Sequence, residues 1–210
     1  MVPEIKKEVT LLNKAIGICL GEKSFLVYSN GDKIQFPQSV MDQGDLVDKA
    51  RNTASKKSKG SRNADAAFRD LEMNQAELLR QFDEFVSEEV ERLEGEYDLI
   101  CIERPAENKV SGYAQNRKRI WEKKYLPRFW DSFVSTAKEK AKDSVEVQTE
   151  FPGIFVCSSC NSVPRHPIVS KKRITCPICG ESFDPEVNLA RNIESEGCDR
   201  KNFFAKNLTS

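Results

Sequence analysis

Four cysteines carry the clearest chemistry in this sequence. Cys157 and Cys160 form one Cys-x-x-Cys knuckle, Cys176 and Cys179 form a second, and fifteen residues lie between them. Each knuckle can offer two thiolates from one tight turn, and zinc favours four such soft ligands in a tetrahedron. The spacing predicts a zinc ribbon with a closed structural site, since four thiolates leave no position for a reactive water. The competing reading is a pair of disulfides, which needs an oxidising compartment. His166 is the only histidine, and with four cysteines available it reads as a surface residue.

Carboxylates supply the second candidate chemistry. Asp184-Pro185-Glu186 follows the last knuckle and reads as a helix start, with Asp184 as the cap and Pro185 at the first helical position. Val187, Ala190 and Ile193 continue it as an apolar face. Glu186 then reads either as a favourable charge at a helix N-terminus or as part of a metal-binding cluster. Glu103 closes the apolar run YDLICIE, and the carboxyl end of a central strand is where α/β folds place chemistry.

The elements that must position these residues follow from hydrophobic pattern. Ala15 to Leu20 is an apolar run of strand length, and Phe25 to Tyr28 starts a second strand. Asn30-Gly31 is a hairpin signal leading to a third strand over Lys33 to Phe36. Residues 41–63 read as a connector. It carries Lys49, Arg51, Lys56, Lys57, Lys59 and Arg62 with no acid between positions 49 and 62, which suits either a solvated loop or a phosphate-contacting one. From about Asn63 to Leu93 the apolar residues recur at helical steps, with Gly95 as the stop. The stretch from Arg104 to Lys142 holds eleven Lys/Arg against four Asp/Glu, interleaved with Trp121, Tyr125, Phe129, Trp130 and Phe133. Trp130, Phe133, Val134 and Ala137 share one helical face and read as core. Arg117, Lys118, Arg119, Lys123 and Lys124 read as contacts to nucleic acid, as do Lys171, Lys172 and Arg173 between the knuckles. Val145 to Gln148 alternates as a last strand.

The chain has 210 residues with 33 basic and 33 acidic side chains. Any nucleic-acid surface must therefore come from uneven distribution of charge. An odd cysteine count beside paired knuckles suits a reducing compartment. No apolar run reaches the roughly 18 residues of a membrane span, so the expectation is a cytoplasmic protein, nucleoid-associated if it binds DNA, with no membrane partner. The element order predicts an α/β fold of ribonuclease-H-like layout, a mixed sheet with flanking helices. The first and fourth strands should lie parallel, and the last helix should pack near their ends. The expected organisation is a first part of that fold over 1–152, a zinc-ribbon insertion over 153–181 and the fold's C-terminal helix and tail over 182–210.

Taken together, AIGICLGEKSFLVYSNG, YDLICIERP and CSSC…CPICGESFDPEVNLARNI resemble, in order, the three motifs of the RuvC-like nuclease domain of TnpB-family transposon-encoded RNA-guided nucleases and their type V CRISPR relatives. Asn188, Ala190, Asn192 and Ile193 match the last motif. The resemblance implies that position 19, Glu103 and the 184–186 segment form the catalytic site, where such nucleases hold two divalent ions. Two departures stand out. Cys19 occupies the place of the first catalytic Asp, and Glu186 replaces the third. Cysteine is a poor partner for magnesium, which wants hard oxygen donors. The expected function is a nucleic-acid-binding, nuclease-inactive protein with structural zinc, partnered by DNA or RNA. Because the chain starts at the first motif, a larger protein is expected to supply the guide-binding half. One alternative is a magnesium-dependent DNA endonuclease using Glu103, Glu186 and Asp184. Another is a protein-interaction scaffold.

Overall fold

The computed structural model describes residues 14–58, 60–148, 156–163, 168–169 and 173–207. Three strands open the chain: β1 (Ala15–Leu20), β2 (Leu26–Tyr28) and β3 (Lys33–Ile34). Gly31, at φ +105°, makes the turn that the Asn-Gly pair signals. β4 (Leu99–Arg104) and β5 (Ser144–Gln148) complete a five-stranded sheet in the order β3-β2-β1-β4-β5. β1 pairs parallel with β4 and β4 with β5, while β1, β2 and β3 pair antiparallel. This is the mixed sheet that the element order predicts.

Five helices flank it: α1 (Gln38–Ser55), α2 (Arg62–Glu96), α3 (Glu107–Asn116), α4 (Ile120–Lys140) and α5 (Pro185–Asn207). Strand alternation sorts the sheet into two faces. Ile16, Ile18, Leu20, Ile100 and Ile102 join the large core under α1, α2 and α4. Cys19, Leu99 and Cys101 point the other way, against Leu189, Ala190 and Ile193 of α5. The last helix sits very close to the sheet. A Cβ at Gly17 would lie 1.9 Å from the carbonyl oxygen of Ala190, so only glycine admits this approach.

Two sequence expectations are corrected. Residues 38–55 are helix rather than connector. Val40, Val47, Ala50 and Ala54 make a narrow apolar stripe, and Gly44 receives the indole of Trp121, whose atoms lie 2.2 Å from where a Cβ would stand. Polar composition hides that stripe from a reading of charge. The stop assigned to Gly95 is also wrong: α2 runs through it to Glu96, and Tyr97 is the extended residue that ends it. The aromatic residues of α4 are all core. Trp121, Tyr125, Phe129, Trp130 and Phe133 are buried, and Phe129 stacks on Phe82 at 3.8 Å, so none is available to stack on a base.

The ribbon is a small three-stranded unit of β6 (Ile168–Val169), β7 (Ile174–Thr175) and β8 (Ser182–Phe183). It has its own core of Cys157, Ile174, Cys176 and Phe183. No helix among the described residues is long and apolar enough to cross a membrane.

Candidate functional site

The two knuckles repeat one backbone design. Asn161 donates its N–H to the carbonyl of Cys157 at 2.8 Å, and Gly180 donates to that of Cys176 at 2.9 Å. Both closing residues are left-handed, with φ of 54° and 79°. The loops turn the sulfurs inward: Cys157 and Cys179 lie 3.6 Å apart, Cys160 and Cys176 3.8 Å. A tetrahedral zinc with Zn–S bonds of about 2.3 Å sets its sulfurs about 3.8 Å apart, so the four thiols fit the ion. None of the four is in a disulfide. Hydrogen bonds from Ser162 draw the Cys160 and Cys176 thiols down, while at Cys179 the backbone bond from Glu181 is outweighed by the neighbouring sulfurs, which push that thiol up.

The ribbon is fastened to α5 by two residues of the third motif. Asn188, fully buried, accepts from the N–H of Ser158 at 2.9 Å and donates to the carbonyl of Val156 at 2.7 Å. Asn192 donates to the same carbonyl at 2.9 Å. These asparagines therefore hold two pieces of fold together.

The carboxylates meet at the sheet edge. Glu103 leaves the end of β4 with its side chain fully buried. Its Oε2 accepts from the N–H of Leu20, at the end of β1, at 3.1 Å. Cys19 is completely buried, and its thiol donates to the carbonyl oxygen of Glu186 at 3.4 Å. Glu186 Oε1 accepts from the N–H of Glu22 at 2.6 Å. Asp184 caps α5, with Oδ1 accepting from Glu186 at 2.9 Å and from Val187 at 3.3 Å. Position 19, Glu103 and the 184–186 turn thus share one corner, as parallel pairing of β1 and β4 requires.

Two cations that the sequence reading passed over lie in that corner. Lys109, in the first turn of α3, places Nζ 2.5 Å from Glu103 Oε1. Lys33, on β3, reaches Glu186 at 2.8 Å and Asp184 at 2.9 Å. No periodicity marks Lys33, which comes from a strand far from both acids in sequence. Lys109 follows Glu103 by six residues, in the first turn of the helix after the strand, a proximity that could have been noticed.

Burial, with the nearby charge of Glu103, pushes the Cys19 thiol well above its ordinary value. At neutral pH it presents S–H and no negative charge. The donor set for a magnesium pair is therefore one soft neutral thiol and three carboxylates already bonded within the chain, and it does not fit. Among the described residues, only the four cysteines form a group of three or more potential ligands within 4.8 Å of one another.

The basic residues scatter. Lys56 and Lys57 in the α1–α2 link, Arg62 at the start of α2, and Lys118, Lys123 and Lys124 around the start of α4 are exposed. Arg119 is half-buried and paired with Asp45 at 3.3 Å and Glu122 at 3.8 Å. Arg173 is exposed but bonds to Ser182 at 3.0 Å. Lys59, Lys171 and Lys172 lie outside the described residues, as does His166. Arg117 is a correction. It is buried, and its guanidinium donates to the carbonyls of Gly21 at 2.9 Å, Ser24 at 2.7 Å and Lys23, so it ties down the β1–β2 turn and cannot meet a phosphate. Beside it opens a cleft of about 460 Å³ of mixed charge, with Lys23, Lys118 and Arg119 set beside Glu22 and Glu122.

No protein-family model matches the chain. A Streptomyces pristinaespiralis protein whose name carries the words "RNA-guided DNA endonuclease" is 27% identical over 187 residues, covering 87% of this chain and 45% of that protein. A cryo-EM structure of the Cas12f1–sgRNA–target DNA complex aligns with a TM-score of 0.55 and 14% identity, over 85% of this chain and 49% of the other. A CRISPR–Cas12f ternary complex aligns at 0.60 and 13%, over 92% and 40%. The chain spans under half the length of these relatives. Sheet order and these likenesses agree, and the chain carries a RuvC-like fold similar to that in the Cas12f structures.

Proposed function

We propose that this chain is a nucleic-acid-binding RuvC-like protein that does not cleave, and that it works as a subunit or accessory of a larger RNA-guided or transposon-derived complex. The observation that carries the reading is Cys19: the first acid position is a buried, protonated thiol. Hydrolysis by two ions needs clustered anionic oxygens to seat them. A partner that supplies the guide-binding half is part of the proposal. Nucleic acid as ligand is supported by the names of the relatives, which join this fold to guide RNA and target DNA. The exposed lysines at 56, 57, 118, 123 and 124, with Arg62 and the cleft beside Lys23, are the proposed contact surface. Structural zinc on the four cysteines completes it.

One experiment tests binding and cleavage together. The zinc-loaded protein is incubated with end-labelled single-stranded DNA and with an RNA–DNA duplex, with magnesium or manganese. Bound fraction and strand length are then read. The expected result is salt-sensitive binding with intact strands. Replacing Lys23, Lys118 and Lys123 by Glu should weaken binding, and the slope of log affinity against log salt should flatten by about 0.7 per lost single-strand contact. Cleavage that vanishes in Glu103→Gln would instead support an endonuclease using Glu103, Glu186 and Asp184.

A further inference from the structure

All six carboxylate oxygens of the corner are engaged by donors of the chain itself. Glu103 Oε1 is held by Lys109 and Oε2 by the N–H of Leu20. Asp184 Oδ2 is held by Lys33 and Oδ1 by the N–H groups of Glu186 and Val187. Glu186 Oε2 is held by Lys33 and Oε1 by the N–H of Glu22. The two ammonium groups take different partners: Lys109 serves the strand-end acid and Lys33 serves the helix-start acids. Lys109 is further fixed by the ring of Tyr113, whose centroid lies 5.3 Å from Nζ. Its side chain is only 17% exposed, and that of Glu103 is 0% exposed.

A carboxylate so deeply buried needs a compensating cation, because an unpaired buried charge is strongly destabilising. Here the chain provides it. We propose that Lys33 and Lys109 are the resident cations of this corner, filling the electrostatic role that a pair of divalent ions would fill and tying β3 to the start of α5 and α3 to β4 without metal. The proposal rests on the non-hydrolytic reading above and deepens it. Loss of the first acid and gain of internal cations become one design, in which three carboxylates are kept as structural anchors. A divalent ion could enter only by displacing an ammonium and breaking bonds already made.

The test is manganese binding by calorimetry and the thermal midpoint with and without manganese. Both are run on the full zinc-loaded chain as wild type, Lys33→Met, Lys109→Met and the double variant. Manganese does not compete with zinc for four thiolates. The wild type should neither bind manganese at this corner nor shift its midpoint. Lys109→Met should lower the midpoint by roughly 10 °C and recover part of that loss with manganese, and Lys109→Arg should stay near wild type. Should Lys109→Met fail to fold, Lys33→Met, at the more exposed rim, carries the same readout. Wild-type manganese uptake that disappears in Glu103→Gln would overturn the proposal. So would methionine variants with a wild-type midpoint and no manganese response. Strand cleavage by the wild type in the same samples would overturn the non-hydrolytic reading separately, whatever the lysines do.

Discussion

The thiol of Cys19 lies 3.4 Å from the carbonyl oxygen of Glu186 and donates to it. A hydrogen bond from the end of the first strand to the first turn of the last helix thus stands where the resemblance places an acid and its metal ligands. Ionising position 19 would break that bond and put a negative charge beside two others.

Cys19→Asp should therefore destabilise the protein by about 2–4 kcal/mol, read by denaturant unfolding at neutral pH. It should not by itself create a nuclease, because Lys33 and Lys109 still hold the neighbouring oxygens. Manganese binding should be tighter when Cys19→Asp is combined with loss of both lysines than in the lysine variants alone.

Stability at low pH should depend on Asp184. Burial works against its ionisation, but the Lys33 ammonium and the N–H groups of Val187 and Glu186 outweigh it and hold the pKa below the ordinary aspartate value. A depressed folded-state pKa gives stability that is full above the unfolded value, about 4, and is lost as pH falls through the folded one. Asp184→Asn should remove part of the acid-limb loss below about pH 4 and leave the slope near neutrality unchanged. Lys33 carries the opposite sign. Burial lowers its pKa, bonds to Glu186 and Asp184 more than restore it, and the net is a rise. Its contribution is full below the unfolded lysine value and lost as pH climbs through the folded one.

Asn188→Ala should cost about 1–3 kcal/mol, since it strands the N–H of Ser158 and removes a donor from the carbonyl of Val156. The loss should appear as looser ribbon docking, measured by faster amide hydrogen exchange at residues 156–160. Zinc content should stay at one ion per chain, because the four sulfurs come from knuckles that close on themselves.

Gly17→Ala should be among the most damaging small substitutions. Its methyl would meet backbone, the carbonyl oxygen of Ala190 at 1.9 Å, and α5 must move for it to fit. A loss of about 3 kcal/mol with displaced α5 is expected. Thermal unfolding and the near-ultraviolet circular dichroism of the variant check it.

Much of the positioning frame was legible from residues alone. Ala15–Leu20 and Leu99–Arg104 are strands because their apolar runs are short and rich in branched residues. The Asn-Gly turn and the two knuckles are local signals that need no tertiary context. The α5 start was readable for the same reason, since Asp184-Pro185-Glu186 is a cap written in three residues. Features set by distant partners were not legible. The α1 helix depends on Gly44 meeting Trp121. Arg117 looked like a surface cation until the β1–β2 turn folded over it. Lys33 joins Glu186 across 153 positions of sequence, and no periodicity reports such a pair.

The most direct test is a crystal of the protein grown with zinc and soaked in manganese, with anomalous data collected at both absorption edges. The account predicts a zinc peak at Cys157, Cys160, Cys176 and Cys179, with Lys33 and Lys109 still seated on their carboxylates and no manganese between them. Two manganese peaks about 4 Å apart over Glu103 and Glu186, with the lysines swung away, would contradict it.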